Sequence, residues 1–298
     1  MLAIVLMTGC RSVRPAFVNT DRIDYGQEIA ESWKRQALLN IVRLRYADAP
    51  VFLEVTSIIN SKSIAGNVSA GTGFPGSKPS AISFDLGGSQ SWSNTPTVSY
   101  QPLMGEQFTR SQLQPIPLSS VFQLIQGGWP AEIVLNTAVG SINGLRNTFY
   151  GAAADSAFVE LVERMSVIQS ARGLGLRVEE RKDGTDVIVV MPTGPEGTPL
   201  NAERSRVREL LQLDDTINEF QVEFRLLRQN NNKIAMTSRS MLEIMLQIGF
   251  GIDLPPVHIA EGRVLTGQWQ KGEALTTPLT HIRSGLTEPR DTYVSVEY

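Results

Sequence analysis

Two stretches near the start of the chain alternate between apolar and polar positions. From Ile64 to Phe74, residues Ile64, Val68, Ala70 and Phe74 take one side of an extended chain. From Ala81 to Trp92, residues Ile82, Phe84, Leu86 and Trp92 take one side, and Ser83, Asp85, Ser89 and Ser91 the other. This period of two marks a strand with one apolar face. Pro75-Gly76-Ser77-Lys78-Pro79-Ser80 between the runs is turn material, so the pattern predicts a β-hairpin over about 63–92. A third extended piece, Thr95 to Tyr100, continues it. Each run is about eleven residues, close to the length of a tilted transmembrane strand. Two readings follow: an amphipathic hairpin packed on the chain's own core, which alternation alone favours, or a membrane hairpin in which Ile82, Phe84, Leu86 and Trp92 are the candidate membrane-facing residues.

Elsewhere the helical period dominates. Tyr25 to Tyr46 carries Ile29, Trp33, Ala37, Leu38, Ile41, Val42 and Leu44 at 3–4 spacing, with Asp24 placed to cap its start and Asp48-Ala49-Pro50 to stop it. Val51 to Ile59 reads as a buried strand. Gly105 to Leu113, Leu118 to Gly127 and Pro130 to Asn143 read as helices, with Gly127-Gly128-Trp129-Pro130 as a break. Further on, Ser156 to Arg172, Ala202 to Leu213 and Met241 to Ile248 are helical. Gly175 to Lys182 and Thr185 to Met191 form a hairpin through Asp183-Gly184. Glu219 to Arg228 and Lys233 to Ser238 read as a second hairpin through Asn230-Asn231-Asn232, and Thr292 to Tyr298 as a closing strand. Hairpins interleaved with helices predict an α+β fold: antiparallel hairpins packed with several helices, plus the charge-poor hairpin.

Charge sharpens that picture. Residues 55–154 contain only seven charged side chains, and the remaining 50 of 57 fall in the other 198 residues. Soluble surfaces normally carry many charges, so this block is buried, covered by a partner, or in contact with lipid. Over the whole chain 27 basic residues face 30 acidic ones, which speaks against a nucleic-acid partner. One cysteine and two histidines, His258 and His281, leave no basis for a disulfide framework or a common metal centre.

Candidate chemistry is sparse. Gly71-Thr-Gly73-Phe-Pro-Gly76 matches G-x-G-x-x-G, and Lys78 nearly completes a phosphate loop. Both motifs need a helix N-terminus immediately afterwards to hold phosphate, whereas an alternating strand follows here. Ser141 in G-S-I-N-G misses the nucleophile elbow by one place. Asp214-Asp215 fits a turn better than an acid pair. No catalytic, cofactor-binding or metal-binding residue is assigned, and the chain is read as a non-enzyme with no cofactor.

The N-terminus is more telling. Met1 to Met7 is an unbroken apolar run, too short to span a bilayer but of the size of a signal-peptide apolar region. Leu6-Met7-Thr8-Gly9-Cys10 resembles the lipobox of bacterial lipoproteins, which implies lipidation of Cys10 after removal of residues 1–9. Residues 10–23 then read as a tether. Arg11, rather than aspartate, follows the cysteine, and the resemblance thereby implies the outer membrane. No basic residue precedes the apolar run, so the natural start is expected upstream. Gln36 to Val55 (Q-A-L-L-N-I-V-R-L-R-Y-A-D-A-P-V-F-L-E-V), with Phe108 to Pro117 and Gly128 to Asn147, is similar to a group of uncharacterised proteobacterial envelope lipoproteins. That likeness implies location only. Relatives in that group run past this C-terminus, so truncation at both ends is expected.

The domain organisation expected is therefore a signal segment, a tether, a region 24–154 holding the first helix and the charge-poor hairpin, and an α+β region 155–298 that can be continuous with it. The function expected is that of a non-catalytic outer-membrane lipoprotein on the periplasmic side, with a structural or assembly role. Its partners would be membrane lipid through the acylated N-terminus, and copies of itself or other envelope proteins. The alternative is an oligomeric pore to which each subunit contributes the hairpin 63–92. A periplasmic ligand-binding or enzymatic domain is the third reading.

Overall fold

The computed structural model describes residues 16–73, 83–181, 184–195, 197–265, 281–285 and 287–298. Helix α1 runs from Ala16 to Arg45. It starts nine residues before the expected Tyr25, so Asp24 is an interior residue and caps nothing. After Pro15, neither proline nor glycine interrupts the chain before Gly26, so the helix reaches back to the proline. Ala47, at φ 59, ends it in the left-handed region. Of the apolar stripe expected on α1, only Ile41 is fully buried, beside Asn40 and Arg45, while Trp33 is 58% exposed. The buried end packs on α7 (Met241–Phe250). A Cβ at Gly249 would lie 3.2 Å from the Ile41 carbonyl, so glycine permits this close approach.

Strands β1 (Leu53–Gly73) and β2 (Ser83–Pro102) follow, and Val51–Leu103 forms a compact unit of its own. Val51 to Ile59 is not a buried strand: its end joins β1, and Val51, Leu53 and Ile59 are exposed.

The other unit is α+β. It includes α1 and continues with α2 (Gly105–Phe108), which runs into a single π turn at Thr109–Leu113. Helices α3 (Leu118–Gln126) and α4 (Ala131–Ala138) precede strands β3 (Val139–Ile142) and β4 (Leu145–Arg146). Helix α5 (Ser156–Ser170), the hairpin β5 (Gly175–Arg181) and β6 (Gly184–Val190), and α6 (Pro199–Leu211) come next. Strands β7 (Glu219–Phe224) and β8 (Lys233–Ser238) precede α7, and β9 (Ile252–Asp253), α8 (Pro256–Ala260) and β10 (Ile282–Arg283) close the order. Six strands make one sheet in the order β4-β3-β8-β7-β6-β5. Helices α3 to α6 and one face of this sheet share a core that includes Phe122, Leu135, Phe158, Ile168, Val189 and Phe220. The opposite face carries ion pairs, with Arg177 bonded to Glu219 at 2.8 Å and Lys233 to Glu223, beside apolar Ile188 and Val190.

Three expectations are corrected here. Strands β7 and β8 are parallel, with Val222 beside Ile234 and Phe224 beside Met236, so the asparagine run is not a hairpin turn. Eight linking residues can extend roughly 26 Å, ample to return along a four-residue ladder, and the parallel register brings buried Val222 and Ile234 to the same core face. The expected helix from Pro130 to Asn143 stops at Ala138. Beyond it, Val139–Ile142 pairs with β8, a tertiary contact that overrides local preference. Residues 292–298 form no strand.

The β3–β4 turn is held by Asn143 at φ 49 and Gly144 at φ 86. These are the two left-handed positions of a tight hairpin turn that favours Asn-Gly. The Asn143 side chain also accepts from the Ala235 amide at 2.7 Å and donates to the Leu211 carbonyl at 2.8 Å. Asn143→Ala is expected to cost about 2 kcal/mol, since two partly buried bonds are each worth about 1 kcal/mol. A shift in denaturant midpoint at constant m checks it.

Candidate functional site: the charge-poor hairpin

At about 3.3 Å per residue, the 21 residues of β1 extend to about 70 Å. Pairing runs from Leu53–Pro102 to Gly73–Ser83, interrupted once between Val55 and Ser57. There the unpaired Thr56 bends the strand as a bulge and donates its hydroxyl to the Ser99 carbonyl at 3.2 Å. The hairpin is thus longer than the expected 63–92. It takes in Thr95 to Tyr100 and also residues 53–62.

Beyond the bulge the register is constant to the tip, and it decides which positions share a side. Ile64 pairs with Trp92, Ala70 with Leu86, and Thr72 with Phe84. Directly paired residues lie on one side of an antiparallel ribbon. Val68–Gly88 and Gly66–Gln90 pair on the same side, so the apolar positions of the two strands share one side, with Gln90 among them. Ser63–Ser93, Asn67–Ser89, Ser69–Gly87 and Gly71–Asp85 pair on the other side. A slip of one residue would set Phe84 among the serines. Ile82 lies outside the described residues, as do all of residues 74–82.

This two-sidedness belongs to the tip half alone. Below Ile64–Trp92, the next pairs on the apolar side are Lys62–Asn94 and Asn60–Pro96. From there to the base both sides are mixed, with Ile59 and Tyr100 each 59% exposed. The apolar stretch from Ile64 to Thr72 spans nine residues, about 30 Å along the strand. Tilted at about 40°, it rises roughly 23 Å, close to the apolar band of an outer-membrane barrel. Among the described residues no third strand pairs with either edge. The prolines of β2, which supply no N–H to a neighbour, are Pro96 and Pro102, both in the base half.

The other candidate chemistry disperses into structural roles. Gly71 and Gly73 occupy paired strand positions, and Gly76 and Lys78 lie outside the described residues. Ser141 is buried in β3 with its hydroxyl 2.8 Å from that of Thr237. Asp214 accepts from the amide and hydroxyl of Thr216 at 2.8 and 2.6 Å, and these bonds hold its carboxyl below the usual range. His258 bonds the Tyr46 hydroxyl at 2.6 Å, and His281 is exposed on a separate segment. Among the described residues no three metal-ligating side chains gather. Cys10 lies outside them. A void in the core is lined by apolar side chains such as Phe122, Leu161, Met191 and Met236, which offer no reacting group.

Sequence reading missed the buried arginines. Arg239, in the segment between β8 and α7, donates to the carbonyls of Asn136, Thr137 and Thr148. Burial pushes its guanidinium down to about 10, so it remains charged at neutral pH. Asn147 donates to the carbonyls of Asn136 at 2.9 Å and Val139 at 2.7 Å. Together they collect the carbonyls that α4 leaves open where it ends. Arg208 serves Met191 and Ile217 in the same way. An isolated arginine gives no pattern that would have signalled burial.

Among the described residues no helix is long and apolar enough to cross a membrane. No family model, no curated protein and no solved structure matches the chain.

Proposed function

We propose that the chain is a lipoprotein of the bacterial outer membrane, anchored through Cys10 on the periplasmic side, whose copies pair their hairpins into a closed barrel through the bilayer. The observation that carries this reading is the register, which brings the apolar positions of β1 and β2 into phase over one bilayer's height. A two-stranded hairpin alone is marginal in water. In lipid its open edges would leave backbone groups unsatisfied at several kcal/mol each. A ring of copies, β1 of one beside β2 of the next, removes both penalties. Self-association is then part of the function, and the structural role in the envelope and the pore become one assembly.

In this arrangement Ile64, Phe84, Leu86 and Trp92 meet lipid, the aromatic Trp92 sits at an interface, and the serine-rich side lines the lumen. The test is the detergent-extracted full-length protein. A large ring that conducts ions in planar bilayers is expected, and a non-conducting monomer would refute the reading. The anchor has its own check. Cys10→Ser should leave the protein without lipid and release it from the membrane fraction before assembly. Unchanged mass and membrane association would refute Cys10 as the lipid site.

A further inference from the structure

On the serine-rich side of the tip half, the register places Ser63, Ala65, Asn67, Ser69, Gly71 and Gly73 of β1 opposite Ser93, Ser91, Ser89, Gly87, Asp85 and Ser83 of β2. Eleven of these twelve positions are small or uncharged, and the twelfth is an acid. Its directly paired position is Gly71, and no basic residue occupies any position on that side. Lys78 lies outside the described residues.

Resting on the barrel reading, we infer that Asp85 is the charge-selectivity residue of the pore, forming one carboxylate per subunit in a ring near the hairpin tip that favours small cations over anions. Strands in a barrel lie about 4.8 Å apart, so the same position recurs every two strands, roughly 10 Å around the ring. Two unit charges at that distance in water repel by only about 0.4 kcal/mol, and about 0.1 M salt screens them further. Mutual repulsion of this size does not oppose a ring with one aspartate per subunit. Glycine opposite, with glycine and serine beside it along β2, leaves room for hydrated ions to pass close to the ring. Rings of aspartate or glutamate are a general means of cation selection.

The test uses the full-length protein in planar bilayers of neutral phosphatidylcholine under a potassium chloride gradient. The reversal potential should have the sign of cation preference, stronger near 0.1 M salt than near 1 M, because the screening length falls from about 10 Å to about 3 Å. D85N and D85S should conduct with a several-fold lower potassium-to-chloride permeability ratio, and D85K should reverse the preference. A conducting wild type with no cation preference would overturn the inference without any variant. So would D85N or D85S channels that keep the wild-type reversal potential. Either result leaves the barrel standing, whereas absence of any conductance from the wild type overturns both.

Discussion

Phe84→Arg should abolish conductance while the α+β unit keeps its fold. Position 84 lies opposite Thr72 on the apolar side of the hairpin, where the barrel arrangement has it meet hydrocarbon. An arginine near the bilayer midplane on a lipid-facing barrel position costs about 2–4 kcal/mol, and the ring incurs that cost once per subunit. The comparison that gives the result meaning is Ser89→Arg. Position 89 pairs with Asn67 on the opposite side, so its arginine would stand in the lumen, with insertion preserved and ion flow altered. Circular dichroism and melting of both variants should match the wild type, because the core elements lie outside Val51–Leu103. Equal conductance from both variants would show that the two sides of the ribbon are not distinguished by lipid, and the barrel reading would fall.

Arg239→Ala should destabilise the α+β unit by about 3 kcal/mol. Arg239 is 6% exposed, and its guanidinium holds carbonyls from the end of α4 and from Thr148. Removing it leaves these acceptors in a buried site, at about 1–3 kcal/mol for a buried group left unsatisfied, and it opens a cavity. The gain is that a costly buried charge disappears. Its pKa near 10 marks that cost, so the loss falls short of a simple sum over three bonds. For a domain of this size, a 3 kcal/mol loss lowers the melting temperature by roughly 6–12 °C. A shift within 1–2 °C of zero would mean that water or Asn147 replaces the arginine.

Much of this fold was legible wherever one face of an element alone decides its fate. Helix α5 carries Phe158, Leu161, Val162, Met165 and Ile168 at helical spacing, and all five are buried. The β5–β6 hairpin followed from two strand-like runs on either side of Asp183-Gly184. The misreadings came where distant partners decide. The asparagine run before Lys233 has the chemistry of a hairpin turn, but β8 is claimed by β3 on one side and takes β7 in parallel on the other. Val139 to Ile142 continues the apolar pattern of α4, yet becomes a strand once Asn147 and Arg239 take up the helix-end carbonyls. Of the candidate site, the alternation within each strand could be read directly. The phase between the strands could not, because it depends on a register set along the full length of both strands and on the bulge at Thr56.

The placement of β8 also governs the order in which this chain can complete its fold. Ile142 of β3 waits for Met236 of β8, and nearly all the strands covering α3 and α4 are made after them. A chain that emerges N-terminus first therefore carries the apolar faces of Phe122 and Leu135 without a complete sheet while the residues between Ala138 and Ser238 are made. Non-local pairing of this kind slows folding and prolongs exposure to aggregation. A chain cut anywhere before Ser238 should accordingly yield an aggregating fragment instead of a smaller stable domain, and folding of the α+β unit should begin in earnest only when its last sheet strand is free to join.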